Sequence, residues 1–411
     1  MRQKVFIFNG TSRAAMYGIG TYIDQLIFCL KNTEIEFDVV HLHSEGTEVL
    51  VTQKDGYRQI SIPSVNSTLP KSAYYYSRNV SYILKEFIPL NNNIQYIFHL
   101  NFMSNSSLVS CLKKMFKCKI ITTIHYTNWN FTLQGNQIKL KSILEKKKNK
   151  LDKLEKIVQS DVNEDRKMLG RSDRFICVAN HTLHTLKKIC KIDVENGVVI
   201  NNALKDSYQK ISPKQKLLIK EKYHIPSQTQ VVVFAGRVDE AKGVSFLLDA
   251  FKKVVNKDFN IHLFIAGDGN FNRWLSESNG FWTRISFTGR LSKAQLYELY
   301  SIADLGVVCS LHEEFGYVAS EMMMHEIPLI VSDTGGLSEI IENNISGVKI
   351  PVKIVNGNRV VSANKLAKQM QILLSDSDFS KMLAVNARKR FLEKYELNIF
   401  SQNMINLYLN L

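Results

Sequence analysis

The stretch that decides the fold reads CSLHEEFGYVASE from Cys309 to Glu321, and SDTGG follows it from Ser332 to Gly336. An apolar run typical of a buried strand comes directly before it, and a helix-like pattern completes it and ends near His325. The order is therefore strand, acidic loop, glycine and helix. Backbone N–H groups at such a helix start lack partners within the helix and carry the positive end of its dipole, so they suit an anionic or hydroxyl-rich ligand.

Two carboxylates of this stretch, Glu313 and Glu321, are separated by seven residues. This spacing allows one to lie on the loop while the other projects from the helix toward the same crevice. Acidic residues near a helix start are common because they offset the helix dipole, so the spacing alone is weak evidence. The surrounding order, with Phe315-Gly316 at the helix start and Thr334-Gly335-Gly336 after the next apolar strand, favours a binding site.

Short apolar runs, typical of buried strands, alternate with helix-like segments along both halves of the chain. Strands of the first half are predicted at 5–8, 37–42, 94–100, 120–125, 175–178 and 198–200, and helices for instance at 20–31 and 74–87. After a loop-like segment, 205–230, strands are predicted at 231–236, 261–266, 285–288, 305–309, 328–331 and 347–350. This alternation predicts parallel, doubly wound sheets, and 411 residues with 45% hydrophobic content are enough for two cores.

The net charge of +15 is unevenly distributed along the chain. Residues 1–205 hold 29 Lys and Arg against 17 Asp and Glu, whereas residues 206–411 hold 24 against 21. The excess predicts an anionic partner for the first half alone. Nucleic acid is not expected as that partner, because the basic residues are not interleaved with aromatic ones and no recognition motif accompanies them.

Cysteine usage and hydropathy predict a cytoplasmic protein. The six cysteines lack paired metal-ligand spacing, which favours a reducing compartment. No apolar run reaches the ~18–20 residues that a membrane-spanning helix needs. The run Val5–Phe8 is too short for the apolar core of a signal peptide and is interpreted as the first strand.

The segment from Glu313 to Glu321 resembles the E-x7-E element of retaining GT-B glycosyltransferases, and the whole chain resembles glycosyltransferase family 4. The resemblance implies an α/β architecture of two Rossmann-like domains facing across a cleft. Residues 1–205 would bind the acceptor and residues 206–380 the nucleotide-sugar. The helical tail, 381–411, would cross back to the first domain.

The same resemblance implies roles for residues that follow the predicted strands. Arg237 and Lys242 would bind the leaving nucleotide diphosphate, Glu313 would hold hydroxyls of the donor sugar, and Glu321 would accept hydrogen bonds from the ribose. His125, which ends a predicted strand of the first half, would lie at the reacting centre and donate a hydrogen bond to the sugar. The other implied donor-binding residues are Gly18, Gly20, Gly236, Gly267, Gly269, Thr288, Gly289, Phe315, Gly316, Tyr317, Thr334 and Gly335.

The local sequence adds evidence for some of these residues, and at two positions the chain departs from the family pattern. Gly18 and Gly20 stand in a Gly-rich turn before the first helix, without the Gly-Lys-Ser/Thr ending of a P-loop or dinucleotide spacing. The backbone of 334–336 would add donors near the phosphates, and that of Thr288 and Gly289 would contact the base. Ala203 follows Asn202 where the family has glycine, and Glu314 stands where it has proline.

The predicted reaction is transfer of a sugar from a nucleotide-sugar with retention at the anomeric carbon. No metal and no cofactor are predicted, because no Asp-x-Asp follows a strand and the ten histidines are scattered. Cationic side chains and helix dipoles would neutralise the leaving group. Uridine diphosphate sugars are favoured over guanosine diphosphate sugars by the resemblance. The acceptor would be a growing surface glycan, a lipid-linked saccharide or a peptide.

Three other functions are compatible with the fold. A non-catalytic partner subunit would lack the donor-site charges, whereas Arg237, Lys242, Glu313 and Glu321 are all present. A phosphorylase would need a pyridoxal-binding lysine element that the sequence does not show. An epimerase would release free nucleotide diphosphate without any acceptor.

The segment 139–158 carries eight Lys against three acids, with a helical stripe formed by Leu140, Leu144, Leu151, Leu154 and Val158. One interpretation is the solvated face of an insertion. The other is a helix that lies on anionic lipid, with its stripe toward the membrane, at the inner membrane face.

Overall fold

The computed structural model describes residues 2–10, 18–65, 71–89, 91–257 and 260–411. The chain divides into two compact units: unit 1 contains Met1–Ala203 and Leu397–Leu411, and unit 2 contains Leu204–Glu396. The first division lies within two residues of the predicted one. The return to the first domain begins at Leu397 instead of Lys381, because the preceding helix is tied to unit 2 by the forked ion pair of Arg388 with Asp206, at 2.9 and 2.6 Å.

Unit 1 is built on an eight-stranded sheet in the order β3-β4-β2-β1-β5-β6-β7-β8, in which only β3 is antiparallel to its neighbour. Its strands are β1 (Arg2–Gly10), β2 (Glu36–Ser44), β3 (Leu50–Lys54), β4 (Tyr57–Pro63), β5 (Ile94–Leu100), β6 (Cys118–Ile124), β7 (Arg174–Cys177) and β8 (Gly197–Val199). Its helices are α1 (Gly18–Lys31), α2 (Ser72–Phe87), α3 (Ser106–Met115), α4 (Asn128–Thr132), α5 (Gln137–Glu145), α6 (Lys153–Leu169), α7 (Asn180–Lys188) and the C-terminal α16 (Leu397–Leu409).

The six strands predicted in unit 1 are present, and the β3–β4 hairpin is the addition. β3 is exposed along its whole length, so it lacks the apolar run that marked the other strands. The available signal was Asp55-Gly56, a pair typical of tight hairpins, and Gly56 has a φ of +82°.

The C-terminal helix α16 packs into the core of unit 1. Phe400, Met404 and Tyr408 are buried in the same apolar cluster as residues of β1 and α1. The Tyr408 hydroxyl lies 2.6 Å from Nδ1 of the buried His99. The helix is therefore a structural part of unit 1.

Unit 2 is built on a seven-stranded sheet in the order β11-β10-β9-β12-β13-β14-β15, parallel except for β15. Its strands are β9 (Gln230–Ala235), β10 (Ile261–Ala266), β11 (Ile285–Gly289), β12 (Leu305–Val308), β13 (Leu329–Asp333), β14 (Val348–Val355) and β15 (Asn358–Val361). Its helices are α8 (Pro213–Lys222), α9 (Val244–Val255), α10 (Phe271–Glu277), α11 (Lys293–Ile302), α12 (Tyr317–Met324), α13 (Gly335–Ile340), α14 (Ala363–Ser375) and α15 (Ser377–Lys394).

The order of the strands places a switch point at β9. The chain runs from β9 outward to β10 and β11, then returns to pair β12 with the other side of β9. The loops that leave neighbouring strands on either side of such a point diverge, and the opening between them is where open α/β sheets bind ligands. The loops after β9, β12 and β13 therefore position the candidate site.

Helix α8 lies within the segment 205–230 that the sequence analysis predicted to be a loop, so that prediction is wrong in part. Ser212 and Gln215 form a capping box around Pro213 at the first helical position. This capping box is a start signal in the sequence, but the helix has no apolar stripe, and a proline is typical of loops as well as of a first helical position.

The segment 139–158 is not one helix, and most of its apolar stripe does not face outward. It folds as α5, a short 3₁₀ turn at Lys148–Lys150 and the start of α6, which a capping box of Asp152 and Glu155 initiates. Leu140, Leu151 and Val158 are buried in an apolar cluster of unit 1. All of the stripe except the exposed Leu154 therefore packs in or against the core, and the prediction that the stripe lies on a membrane is wrong.

Within the described residues, no helix is both long enough and apolar enough to cross a membrane.

Candidate active site

The site in unit 2 begins with the turn that follows β9. Asp239 caps a 3₁₀ turn, Glu240–Lys242, by accepting a hydrogen bond from the Lys242 N–H at 2.9 Å. Gly243 then adopts a φ of +77°, and a Cβ there would lie 2.1 Å from the carbonyl oxygen of Cys309. Only glycine allows the turn to approach the end of β12 this closely, and Lys242 is thereby held against the loop that follows β12.

Lys242 and Glu313 form an ion pair in which the Lys242 ammonium donates to Oε1 of Glu313. The Ser310 hydroxyl donates to the same oxygen at 2.7 Å. Burial alone would raise the pKa of the Glu313 carboxyl, but the Lys242 ammonium and the Ser310 hydroxyl lower it below its ordinary value. Glu313 is therefore ionised at neutral pH and acts as a fixed hydrogen-bond acceptor.

The loop after β13 packs on the backbone of the Glu313 loop. The Gly336 N–H donates to the Glu313 carbonyl oxygen at 2.8 Å, and the Thr334 N–H donates to the carbonyl of Ser332 at 3.0 Å. At Gly335, φ is +49° and a Cβ would lie 2.1 Å from the Glu313 carbonyl oxygen. Two of the three N–H groups expected to meet phosphates are thus used within the protein: that of Gly336 braces the Glu313 loop, and that of Thr334 bonds within its own turn.

Helix α12 starts at Tyr317, directly after Gly316, whose φ is +114°. Glu321 lies in its second turn. Burial raises the pKa of the Glu321 carboxyl to about 7, although the Lys293 ammonium and the Tyr300 hydroxyl act in the opposite direction. Phe315 is buried and packs edge-on against Tyr317, with ring centroids 5.3 Å apart. The two carboxylates of the motif thus differ: Glu313 is charged, whereas Glu321 titrates near neutrality.

The remaining candidates of unit 2 lie at the ends of β9, β10 and β11. Arg237 pairs with Asp239 at 3.3 Å. Gly236 and Gly267 are in contact, since a Cβ at Gly267 would lie 1.7 Å from the Gly236 carbonyl oxygen. A similar close contact joins Gly269 to Val238, and the Thr288 hydroxyl donates to the carbonyl of Gly289 at 2.9 Å. Close packing between loops therefore explains Gly267 and Gly269 after β10. Gly236 after β9 has open space for a Cβ, and its φ of +131° is what favours glycine there.

His125 of unit 1 follows β6 and is held in a network of uncharged groups. Its Nε2 lies 3.2 Å from Oδ1 of Asn101, whose Nδ2 donates to the Phe8 carbonyl at 3.2 Å. The Tyr22 ring packs edge-on against it at 4.5 Å between centroids. Burial lowers the pKa of His125 to about 3, so the ring is neutral. Since Asn101 presents an acceptor, the proton is on Nε2 and Nδ1 is an acceptor.

The sequence analysis placed Gly18 and Gly20 in a turn before the first helix. In the structure α1 already begins at Gly18, so both glycines are helical. Residues 11–17, including Tyr17 of that Gly-rich turn, lie outside the described residues. Asn202 is buried in unit 1. Within unit 2, the structure brings together the candidates that follow β9, β12 and β13.

Sequence reasoning missed several polar residues that contact the predicted ones, among them Ser310, Asn101 and Arg359. Ser310 lies inside the quoted motif, so its position beside Glu313 was a usable signal. Asn101 follows β5 and reaches His125 only through the parallel pairing of β5 with β6. Arg359 on β15 donates to the Thr334 hydroxyl oxygen at 2.6 Å, and nothing in the local sequence indicates this contact.

Comparison with known proteins identifies two family models along the chain. The model described as Glycosyltransferase Family 4 matches residues 16–207, and the model described as Glycosyl transferases group 1 matches residues 215–390. The lipopolysaccharide 1,2-N-acetylglucosaminetransferase of Salmonella typhimurium is 29% identical over 214 residues, which cover 48% of this chain and 55% of that protein. The chain spans about half the length of the curated relatives it matches.

Solved structures are similar over the whole chain. Sucrose-phosphate synthase from Thermosynechococcus elongatus has a TM-score of 0.78 at 18% identity, covering 100% of this chain and 99% of its own. The Anabaena protein Alr3699/HepE, solved in complex with UDP-glucose, has a TM-score of 0.72 at 15% identity, covering 99% and 100%. Likeness at these identities shows the fold, and the predicted GT-B plan of two α/β domains is confirmed.

Proposed function

We propose that this chain, which belongs to the glycosyltransferases of family 4, transfers a sugar from a nucleotide-sugar to an acceptor. The observation that carries the proposal is the Lys242–Glu313 pair at the carboxyl ends of β9 and β12, braced by Ser310. A lysine ammonium has three N–H donors, and one is used on Glu313. The others suit a donor diphosphate, while the ionised Glu313 suits sugar hydroxyls.

The proposed reaction retains the anomeric configuration. The bond from the anomeric carbon to the leaving phosphate oxygen breaks, the acceptor oxygen bonds to that carbon on the same face, and the leaving phosphate takes the acceptor proton. Arg237 and Lys242 stabilise the charge that develops on the diphosphate, so catalysis consists of positioning and electrostatic stabilisation.

Turnover of the Arg237→Ala, Lys242→Ala double variant tests this assignment. We expect a loss of at least about a hundredfold, on the scale of a removed preorganised donor. Near-normal turnover would reject the assignment. NMR of the product's anomeric centre tests retention separately.

We also propose that the reaction needs no metal ion. The support is the position of two cationic side chains, Arg237 and Lys242, in the turn after β9. Turnover should survive exhaustive treatment with EDTA. If EDTA abolishes activity and added Mg²⁺ or Mn²⁺ restores it, this proposal is contradicted. The proposal that the chain transfers a sugar would still stand.

The proposed donor is a uridine diphosphate sugar, with guanosine diphosphate mannose as the rival. The complex of Alr3699/HepE with UDP-glucose supports uridine. A thermal-shift panel of nucleotide-sugars decides between them, because a ligand at 100 times its Kd stabilises a protein by roughly 2.7 kcal/mol. No shift with any nucleotide would count against the whole proposal.

The proposed acceptor is a surface glycan or a lipid-linked saccharide. The similarity to a lipopolysaccharide glycosyltransferase and the basic first half support an anionic glycan acceptor. Product analysis after incubation with defined oligosaccharides, lipid-linked saccharides and peptides tests this. Transfer to the peptide alone would replace the glycan proposal.

The proposed location is cytoplasmic, with peripheral contact of unit 1 at an anionic membrane. The supporting surface shares only Leu154 with the predicted stripe: it consists of the exposed apolar residues Ile138, Leu154 and Ile157 and the exposed Lys147, Lys148 and Lys150. Each lysine near such a surface contributes about 1 kcal/mol.

Co-sedimentation with liposomes of varied anionic content, at low and high salt, tests the membrane contact. Replacing Lys147, Lys148 and Lys150 with Gln should abolish binding. Lys146 is retained because it pairs with Glu155 at 2.5 Å at the start of α6. If the wild type does not bind at low salt, or if the variant binds as the wild type does, the membrane contact is rejected. The basic residues then form a face exposed to solvent.

A further inference from the structure

A cavity of about 500 Å³ opens at the amino ends of three neighbouring strands of unit 1, β6, β7 and β8. In its lining, Lys119 is the second residue of β6, Arg174 is the first residue of β7, and Asn196 directly precedes β8. The strands are parallel, and His125 follows the opposite, carboxyl end of β6. From Lys119 to His125 an extended chain covers roughly 20 Å. The cavity is therefore separate from the His125 network.

The lining of this cavity carries more positive than negative charge, and we call it the basic cavity. Its acidic groups are the Asp173 side chain and the carboxylate of the last residue, Leu411. Four cationic side chains face them: Lys113, Lys119, Arg171 and Arg174. A cavity lined by an excess of one charge concentrates ligands of the opposite sign, so an anionic ligand is expected here.

Asp173 is held by the protein itself and pairs with the two lysines. Its Oδ2 accepts a hydrogen bond from the Ile120 N–H at 2.8 Å and lies 3.0 Å from Nζ of Lys113. Its Oδ1 lies 3.7 Å from Nζ of Lys119. An oxygen of Leu411 likewise accepts a hydrogen bond from Nε2 of Gln95 at 3.2 Å. Each acidic group thus has partners other than the two arginines.

The two arginines of the basic cavity have uncharged partners. Nη1 of Arg174 donates to Oδ1 of Asn196 at 3.1 Å, and Nη1 of Arg171 donates to the Ser106 carbonyl at 3.4 Å. Neither contact involves a carboxylate, so within the described residues no ion pair compensates either guanidinium charge. A guanidinium presents its N–H donors in a planar fork that matches the oxygens of a phosphate group.

The loop backbone leaves the binding of an anion to these side chains. The N–H groups of residues 170–173, between α6 and β7, all donate to carbonyl oxygens of the protein, at distances from 2.9 to 3.2 Å. A ligand would therefore meet guanidinium and ammonium donors. A phosphate group has enough oxygens and charge to accept from several of them at once.

The position of the basic cavity along α6 favours a soluble phosphate compound over a lipid headgroup. Gly170 of the lining directly follows the last residue of α6, whereas the lysines proposed to meet the membrane precede the first. The 17 residues of α6 span about 25 Å. A membrane held at the start of this helix is thus distant from the cavity at its end.

We propose that the basic cavity binds the phosphate group of a soluble compound. Arg171 and Arg174 provide the forked donors, and Lys119 adds a point charge. The inference does not depend on the proposed function, because all of these residues belong to unit 1 and none of them was assigned to the donor site.

Hydrogen exchange of the full chain, titrated with inorganic phosphate at constant ionic strength, tests the inference. The Kd is read from slowed exchange in peptides that cover the end of α3 and the loop before β7. The double variant Arg171→Gln, Arg174→Gln removes both guanidinium charges and keeps an amide donor at each position. The matched control, Lys114→Gln with Lys117→Gln, removes two exposed charges of the same unit that lie outside the lining.

We expect saturable slowing in the wild type and in the control, with the same Kd. In the double arginine variant the Kd should be at least about tenfold higher, the scale of lost charge-assisted contacts. Lys119→Gln alone should raise the Kd by a smaller factor. If the double arginine variant exchanges faster than the wild type without phosphate, its fold is altered and Lys119→Gln decides.

Vesicles of phosphatidylcholine with and without phosphatidic acid distinguish the two sources of a phosphate group. Slowing by the phosphatidic acid vesicles that is lost in the double arginine variant, without slowing by inorganic phosphate, would replace the soluble compound by a lipid headgroup.

Two results would overturn the inference. If neither inorganic phosphate nor the vesicles slow exchange in these peptides, the basic cavity binds no phosphate group. If the control raises the Kd as much as the double arginine variant does, or if neither changes it, the effect comes from general charge or from another site.

Discussion

Unit 1 and unit 2 share a parallel sheet flanked by helices, but their candidate sites are held together by different chemistry. In unit 2, a charged pair, Lys242 and Glu313, joins the loops after two adjacent strands. In unit 1, His125 is neutral and bonds to the amide of Asn101. Charged residues after strands are conspicuous in a sequence, whereas a buried neutral network is visible only when its strands are paired.

The largest expected effect is a loss of stability caused by a substitution in the core of unit 1. Leu140→Ala should lower the free energy of unfolding of unit 1 by about 2–5 kcal/mol, because a buried leucine leaves a cavity. The exposed Leu154 is the matched control, and its replacement by Ala should change little. Hydrogen exchange, read separately on peptides of each unit, measures both. Equal effects of the two variants would contradict the assignment of Leu140 to the core.

The next effect concerns the charged pair of unit 2. Lys242→Ala should lower kcat/KM, and the decrease should correspond to a loss of about 2–4 kcal/mol of transition-state stabilisation. Because Lys242 and Glu313 bond directly, Glu313→Ala should lower kcat/KM much less in the Lys242→Ala background than in the wild type. Steady-state kinetics of the double-mutant cycle gives the coupling energy, and strict additivity would show that the pair does not act as a unit.

The C-terminal helix provides a smaller stability test. Tyr408→Phe removes the hydroxyl 2.6 Å from His99 Nδ1 and should destabilise unit 1 by about 1–3 kcal/mol, the cost of an unsatisfied buried polar group. Hydrogen exchange in unit 2 should be unchanged. Equal acceleration in both units would mean that they unfold together, and the effect could not be assigned to unit 1.

A pH effect should distinguish the two carboxylates of the motif. The pKa of Glu321 is raised from 4.5 to about 7, so between these values the folded chain holds a proton that the unfolded chain has lost. Its contribution to stability is therefore lost as pH rises through 7. If the ionised carboxylate accepts ribose hydroxyls, nucleotide affinity should rise severalfold across the same pH.

Titration calorimetry between pH 6 and pH 8 measures this dependence. Glu321→Gln should remove it, whereas the wild type should show it with UDP and UMP alike, since both carry the ribose. A dependence that persists in the variant would assign the titration to another group, such as the second phosphate ionisation of the nucleotide.

The smallest expected effect is in unit 1. Burial lowers the pKa of His125 from 6.5 to about 3, so its ring should stay neutral from pH 5 to pH 8. Its NMR resonances, assigned by comparison with His125→Gln, should not shift over that range. A titration near pH 6.5 would show that the ring reaches solvent and that its neutral network is not maintained.

The sequence by itself determined the order of the main strands and the loops that carry charge. Buried parallel strands require continuous apolar runs, and these were readable from Val5–Phe8 through 347–350. Lys242, Glu313 and Glu321 were predicted from position and resemblance, and their roles remain predictions. Misreadings arose where a helix or strand lacks an apolar pattern, as at α8 and β3.

Tertiary structure alone decided which side chains meet and what charge they carry. Arg359 reaches Thr334 because a hairpin folds back, although 25 residues separate them. Leu140, Leu151 and Val158 of the stripe are core because the chain turns between α5 and α6, from Lys146 to Asp152. Burial gives Glu321 and His125 pKa values far from the ordinary ones. Periodicity records which residues are apolar, but the packing partner decides whether they face a core or a surface.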